Sequence, residues 1–209
     1  MDPALVVVVL VPVKAFADAK ARLAGVLSPA ERQGLARWTA ARVIAAAGEA
    51  PVFVVCDDIE VAEFARTHGA EVLWQPGVGL NAAVSRGVVA LRERGVRHVV
   101  VAHGDLPLPA GLLDASVAGA ITLVPDNAGD GTNVICLPTD VPFEFSYGAA
   151  SFQRHLAHAL SLGVAVGVRH DALLGIDIDV PSDLVHPLVQ EVLPSWLPTN
   201  PANPTPLPR

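Results

Sequence analysis

The chain is expected to fold as a single α/β domain, a mostly parallel, mixed sheet with helices on both faces. Three observations point there. Apolar, β-branched runs at 5–11, Val52–Cys56 and His98–Ala102 read as strands buried on both faces. Helical patterns separate them, so successive strands need right-handed crossovers and lie parallel. At 209 residues, 52% hydrophobic and 17% charged, the chain can bury one sizeable core.

The elements follow in order. Strand 5–11 is ended by Pro12. It follows Asp2 rather than a basic segment and is far too short for a bilayer, so it reads as a core strand and neither a leader nor a membrane span. Ser28-Pro29-Ala30-Glu31 opens a helix to about residue 47: Ser28 caps, Pro29 suits the first helical position and Glu31 completes a capping box. After strand Val52–Cys56 come a helix over 59–68 closed by Gly69, a short strand at 72–74, and a helix over 80–94 closed by Gly95. His98–Ala102 is followed by a helix over 110–118. Segments 121–125 and 133–137 are strands with no room for a helix between them. Their connection, 126–132, is rich in Asp, Asn and Gly. A helix over 151–162 capped by Ser151, a strand at 164–168, a short strand at 175–179 and a helix over 182–193 complete a domain of residues 1–193. Prolines at 194, 198, 201, 204, 206 and 208 mark 194–209 as a disordered tail.

Composition narrows the function. A formal net charge of -7 argues against broad contact with nucleic acid, whose affinity rests on neutralising phosphates. Cys56 and Cys136 close apolar runs and read as buried hydrophobes, which fits a reduced, cytoplasmic setting.

In a sheet of this kind ligands bind beyond the carboxyl ends of the strands, and four segments lie there. Lys14, Lys20 and Arg22 follow the first strand and could clamp phosphate; taken alone, an ordinary solvated loop explains them slightly better. Pro76-Gly77-Val78-Gly79-Leu80-Asn81-Ala82 joins a strand to a helix start, where anions are favoured. It formally matches a dinucleotide fingerprint, although it sits in the third unit with no acidic strand end after it. His103-Gly104-Asp105-Leu106-Pro107 follows the central strand, and Asp105 would suit Mg2+. In Gly175-Ile176-Asp177-Ile178-Asp179, two Asp alternate with Ile and so share a face, where a cation would relieve their repulsion; Asp179 could instead cap the following helix. His155 and His158 sit three apart on a helix, without a third ligand, and read as a solvated face.

The ordered set V-P-V-K, A-K-A-R-L, S-P-A-E-R, P-G-V-G-L-N-A-A, G-D-L-P-L, P-D-N-A-G-D-G-T-N, F-S-Y-G-A-A-S-F-Q-R-H and D-I-D-V-P-S-D-L resembles the 2-phospho-L-lactate / phosphoenolpyruvate guanylyltransferases of coenzyme F(420) biosynthesis. The resemblance runs from residue 5 to about 190. It implies a Rossmann-like, nucleotide-diphospho-sugar transferase-like fold and transfer of GMP from GTP to a small phosphorylated acid. It implies Mg2+ on Asp105 and Asp177, with Asp179 a third ligand, and Lys14, Lys20 and Arg22 on the GTP phosphates. Lys14, Arg22 and Asp105 would be the catalytic groups. Gly79 and Asn81 would border the nucleoside, and Thr132, Gly148 and Ser151 the acid, with His155 supporting that pocket through Arg154. The implied partners are GTP and phosphoenolpyruvate or 2-phospho-L-lactate, with a downstream transferase and a second copy of the chain as further candidates. Two stretches depart from the family pattern: His103-Gly104 before Asp105, where a small apolar residue and Ala are usual, and Phe145-Ser146-Tyr147-Gly148. A D-x-D glycosyltransferase and a non-catalytic GTP-binding domain are the competing readings.

Overall fold

The computed structural model describes residues 7–197. Seven strands form one sheet: β1 (Val7–Pro12), β2 (Val52–Cys56), β3 (Glu71–Trp74), β4 (His98–Ala102), β5 (Ala120–Pro125), β6 (Thr132–Pro138) and β7 (Ala165–Val168). Their order is β3-β2-β1-β4-β6-β5-β7. All run parallel except β6, which lies antiparallel to both β4 and β5. The mixed, mostly parallel sheet is therefore as expected, and the β5–β6 hairpin, too tight for a crossover helix, supplies the reversal.

Alternation along the strands builds two cores. Val9, Val11, Val52 and Val54 face α1 (Pro29–Ala46) and α2 (Ile59–Thr67), meeting Val43, Ile44, Val61 and Ala65. Val8, Leu10, Phe53 and Val55 face α3 (Gly79–Glu93) and α4 (Ser151–Ser161), meeting Val84, Leu91, Phe152 and Ala159. The helices thus cover both faces. The reversal of strand order falls between β1 and β4, and a crevice opens beyond their carboxyl ends.

Three expected elements differ. The helix over 110–118 is only a 3-10 turn at Leu113–Ala115, because Gly111 sits at φ +72°, outside the right-handed helical region, and Ser116 is already extended. The strand at 175–179 does not join the sheet, since β4 is paired on both sides by β1 and β6. This segment instead runs beside the end of β4, the Ile178 amide donating to the Asp105 carbonyl at 3.3 Å. The helix over 182–193 is split into α5 (Pro181–Leu184) and α6 (Pro187–Gln190), as Pro187 cannot continue a helix through its own position.

A third, smaller core joins Leu23 and Leu27 to Leu35 of α1, Ile176, Ile178 and Leu197. Leu197 is only 2% exposed. Trp196 lies on α1 where Gly34 has no side chain; a Cβ there would stand 2.9 Å from the indole ring. Packing therefore continues four residues into the expected tail, and 198–209 lie outside the described residues. The first two residues of strand 5–11 also lie outside them.

Candidate active site

The crevice between the ends of β1 and β4 holds a cavity of about 250 Å³. Its walls include Lys14 and Lys20 from the loop after β1, His103, Gly104 and Asp105 from the end of β4, and Asp179. An adjoining cavity of about 260 Å³ shares Lys14 and Leu80 and reaches Asp57, Gln75 and Gly79 beyond β2 and β3. The G-x-G-x-x-A segment thus opens α3 at one wall of the crevice.

The acidic and basic segments meet at Lys20. Its ammonium donates to Asp105 Oδ2 at 3.1 Å and lies 3.8 Å from Asp179 Oδ1. The side chain is only 6% exposed. Arg22 donates to the other oxygen of Asp179 at 3.0 Å. Lys20 and Arg22, expected on the GTP phosphates, are thus each engaged by a carboxylate in this structure. Lys14 is exposed and makes no ion pair among the described residues. Lys20 holds this position in a left-handed backbone, φ 56° and ψ 37°, unusual for a residue with a side chain.

Ile176 and Ile178 are buried in the third core, which aims the intervening Asp177 the other way. The alternation read from sequence is thus kept outside the sheet. Asp179 does not cap α5; Asp183 does so, accepting from the Asp179 and Val180 amides. Burial raises the cost of charging Asp105, but Lys20 and His103 outweigh it and hold the carboxyl below its ordinary range. Burial, reinforced by the charge on Asp105, pushes the Asp177 carboxyl up to about 7. Asp105 Oδ1 is buried without a hydrogen-bond partner. Among the described residues no three His, Cys, Asp or Glu side chains form a ready metal cage.

A second cluster lies at the start of β6, which antiparallel pairing brings to the same end of the sheet: the His103 amide donates to the Asn133 carbonyl. Thr132 and Ser151 are 3% and 2% exposed, their hydroxyl oxygens 3.5 Å apart. Ser151 is not the cap expected. Ala150, at φ 54°, holds that position, and Ser151 is the first helical residue, its hydroxyl turned inward. Above them the exposed Gly148 adopts φ +119°. Asp126 accepts from the amides of Asp130 and Gly131, and Asp130 in turn accepts from the Ala150 amide. The Asp- and Gly-rich turn thus braces the α4 start.

His155 departs most from its expected place. It is 0% exposed rather than solvated. It contacts Thr132 Oγ1 at 3.0 Å and accepts from the Ser146 amide at 2.8 Å, so it does not act through Arg154. Arg154 instead donates to the Ser146 and Ala149 carbonyls. Asn81 uses its carbonyl to hold the Tyr147 amide at 2.7 Å, tying α3 to the loop above Thr132. Tyr147 stacks edge-on against His103 at 4.6 Å, linking that loop to the Asp105 turn. Sequence reasoning missed Asp57, Ala36 and Thr39 as walls. Asp57 directly follows β2, and the strand-end rule could have found it.

The arrangement is a cleft with clustered carboxylates, cations and a separate pair of buried hydroxyls, suited to phosphoryl chemistry without a protein nucleophile. Known proteins agree with it. The chain is 40% identical over 184 residues to the phosphoenolpyruvate guanylyltransferase of Rubrobacter xylanophilus, covering 84% of this chain and 90% of that one. It is 30% identical over 183 residues to the 2-phospho-L-lactate guanylyltransferase of Methanothermobacter thermautotrophicus, covering 84% and 81%. Among solved structures, a protein from Desulfovibrio desulfuricans G20 assigned to the nucleotide-diphospho-sugar transferases shares the fold with a TM-score of 0.67 at 17% identity, over 85% and 84% of the two chains. A nucleotidyl transferase from Methanothermobacter does so with a TM-score of 0.58 at 17% identity, over 85% and 94%. The family model described as "Guanylyl transferase CofC like" matches residues 7–190, so the chain belongs to the CofC-like guanylyl transferase family.

Proposed function

We propose that this protein transfers GMP from GTP to phosphoenolpyruvate, releasing pyrophosphate and forming enolpyruvyl-diphosphoguanosine for coenzyme F(420) biosynthesis. The observation that carries this reading is the joining of Asp105, Lys20 and Asp179 in the β1–β4 crevice, at the same end of the sheet as the buried hydroxyls of Thr132 and Ser151. Phosphoenolpyruvate is favoured over 2-phospho-L-lactate because relatives named for it reach 40% identity, against 30% for the lactate enzyme.

A phosphate oxygen of the acid attacks the α-phosphorus of GTP in line. The new P–O bond forms as the bond to the pyrophosphate oxygen breaks. The attacking phosphate is already anionic, so no protein base is required. The chain's part is positioning and charge. Lys14, exposed at the crevice, meets the triphosphate, and Lys20 and Arg22, paired with Asp105 and Asp179, add positive charge to it. Gly79 and the wall of the second cavity border the nucleoside. Thr132, Ser151 and Gly148 hold the acid.

Asp105, with Asp177 and Asp179, would hold Mg2+. The unpartnered, buried Asp105 Oδ1 fits a cation, and Mg2+ characteristically takes one or two carboxylates and completes its shell from phosphates and water, so a full protein cage is not needed. When bound it supplies neutralisation of the triphosphate charge. The buried free thiols of Cys56 and Cys136 support a reducing, cytoplasmic setting.

The test is pyrophosphate release from GTP and Mg2+, with phosphoenolpyruvate and 2-phospho-L-lactate in parallel and the deazaflavin acceptor with its transferase present to draw off labile product. Release that depends on phosphoenolpyruvate is expected. GTP binding without release on either acid would instead favour a non-catalytic domain.

A further inference from the structure

We infer that His155 is a positioning residue for the acid, fixing the direction in which the Thr132 hydroxyl donates. The inference rests on the reading of Thr132 as an acid-binding group. His155 sits on the first turns of α4 with no exposure to solvent. The Ser146 amide can only donate, so His155 Nε2, 2.8 Å away, must be the unprotonated acceptor. In a neutral imidazole the proton then resides on Nδ1. That N–H donates to Thr132 Oγ1 at 3.0 Å.

The consequence lies at Thr132. With one lone pair of Oγ1 engaged by His155, the hydroxyl proton must point elsewhere. Ser151 Oγ, at 3.5 Å, stands at the limit of a hydrogen bond and competes weakly. The Thr132 proton is therefore available to an anionic oxygen of the acid. Had the ring carried its proton on Nε2, Thr132 would spend its own proton on Nδ1 and offer only lone pairs, which repel a phosphate or carboxylate. The same ring sets the loop height, since Ser146 begins the turn to Gly148 and is further pinned by Arg154 at its carbonyl. Phe143 and Tyr147 pack against the imidazole, at 5.6 and 5.0 Å between ring centres, and oppose its turning over. One side chain thus fixes both the hydroxyl beneath the acid and the loop above it.

Two substitutions separate these roles. His155→Gln can keep an acceptor for the Ser146 amide and loses the donor to Thr132; His155→Asn does the reverse. With wild-type turnover established, His155→Gln is expected to raise the KM for phosphoenolpyruvate about tenfold, the worth of one buried hydrogen bond, with the KM for GTP changed less than about twofold. In a Thr132→Val background the same His155→Gln change is expected to cost less than about twofold more, because its partner is already gone. Nitrogen chemical shifts of labelled wild-type protein should show His155 protonated on Nδ1, a reading that needs no variant to fold. Protonation on Nε2, or effects of His155→Gln and Thr132→Val that simply multiply, would overturn the inference while leaving the transferase reading intact. A wild-type protein that turns over no phosphorylated acid would remove the reading of the acid site, and this inference with it.

Discussion

At the residue scale the site turns on how buried charges are matched. Lys20 is held between Asp105 and Asp179, so one ammonium supports two carboxylates that would otherwise repel. Asp105 carries both the ion pair and the unpartnered oxygen, and its replacement should remove function without unfolding the chain. Asp105→Asn keeps the shape and is expected to lower turnover on the order of a hundredfold or more, with an unchanged circular dichroism spectrum. Near-normal turnover would contradict its role. His155 carries a second prediction. Burial holds its pKa at about 4, below the 6.5 of an unfolded imidazole. As pH falls from 6.5 towards 4 the unfolded chain takes up the proton and the folded one does not, so the stability His155 contributes above 6.5 is lost. Asp177, raised to about 7, acts in the opposite sense over part of that window, so the comparison must be with a variant. The stability difference between wild type and His155→Asn, measured by urea unfolding, should shrink by up to about 3 kcal/mol between pH 7 and pH 4.

At the scale of elements, local signals were legible where short-range chemistry decides the structure. Ser28, Pro29 and Glu31 form the capping box expected of them, with both reciprocal hydrogen bonds present. Ser28→Ala should cost about 1 kcal/mol in thermal or urea unfolding and leave both KM values unchanged. Strands Val52–Cys56 and His98–Ala102 match their sequence bounds because continuous β-branched runs have one good use in a parallel sheet. Legibility failed where the answer lay in distant partners. The alternation Ile176-Asp177-Ile178-Asp179 reads as a strand, but a strand needs a free neighbour, and β4 has none. Ser151 has the composition of a cap, yet it is drawn inward to Thr132, nineteen positions earlier in the chain. The pairing of Lys20 with Asp105, 85 positions apart, leaves no local trace either. The family resemblance assigns roles to both segments, but the sequence does not show that they neutralise one another.

At the scale of the whole molecule, the fold places chemistry by topology. The reversal of strand order between β1 and β4 opens the crevice, and antiparallel β6 brings Thr132 to the same end as Asp105. The third core lies behind this arrangement and binds the cation loop, through Leu23 and Leu27, to the acidic strip, through Ile176 and Ile178. Leu197 closes that core, although the proline-rich composition around it suggested no packing at all. Leu197→Ala is expected to destabilise the protein by about 2–4 kcal/mol in urea unfolding; a change below about 0.5 kcal/mol would show that the domain ends earlier.

The central claim is that the crevice joins a nucleoside monophosphate to a phosphorylated acid. The most direct test follows the phosphorus. GTP labelled at its α-phosphorus should pass that label to a product dependent on phosphoenolpyruvate, while a γ-phosphorus label should leave in pyrophosphate. Label from the γ position in the acid product, or no acid-dependent transfer of the α label, would contradict the account.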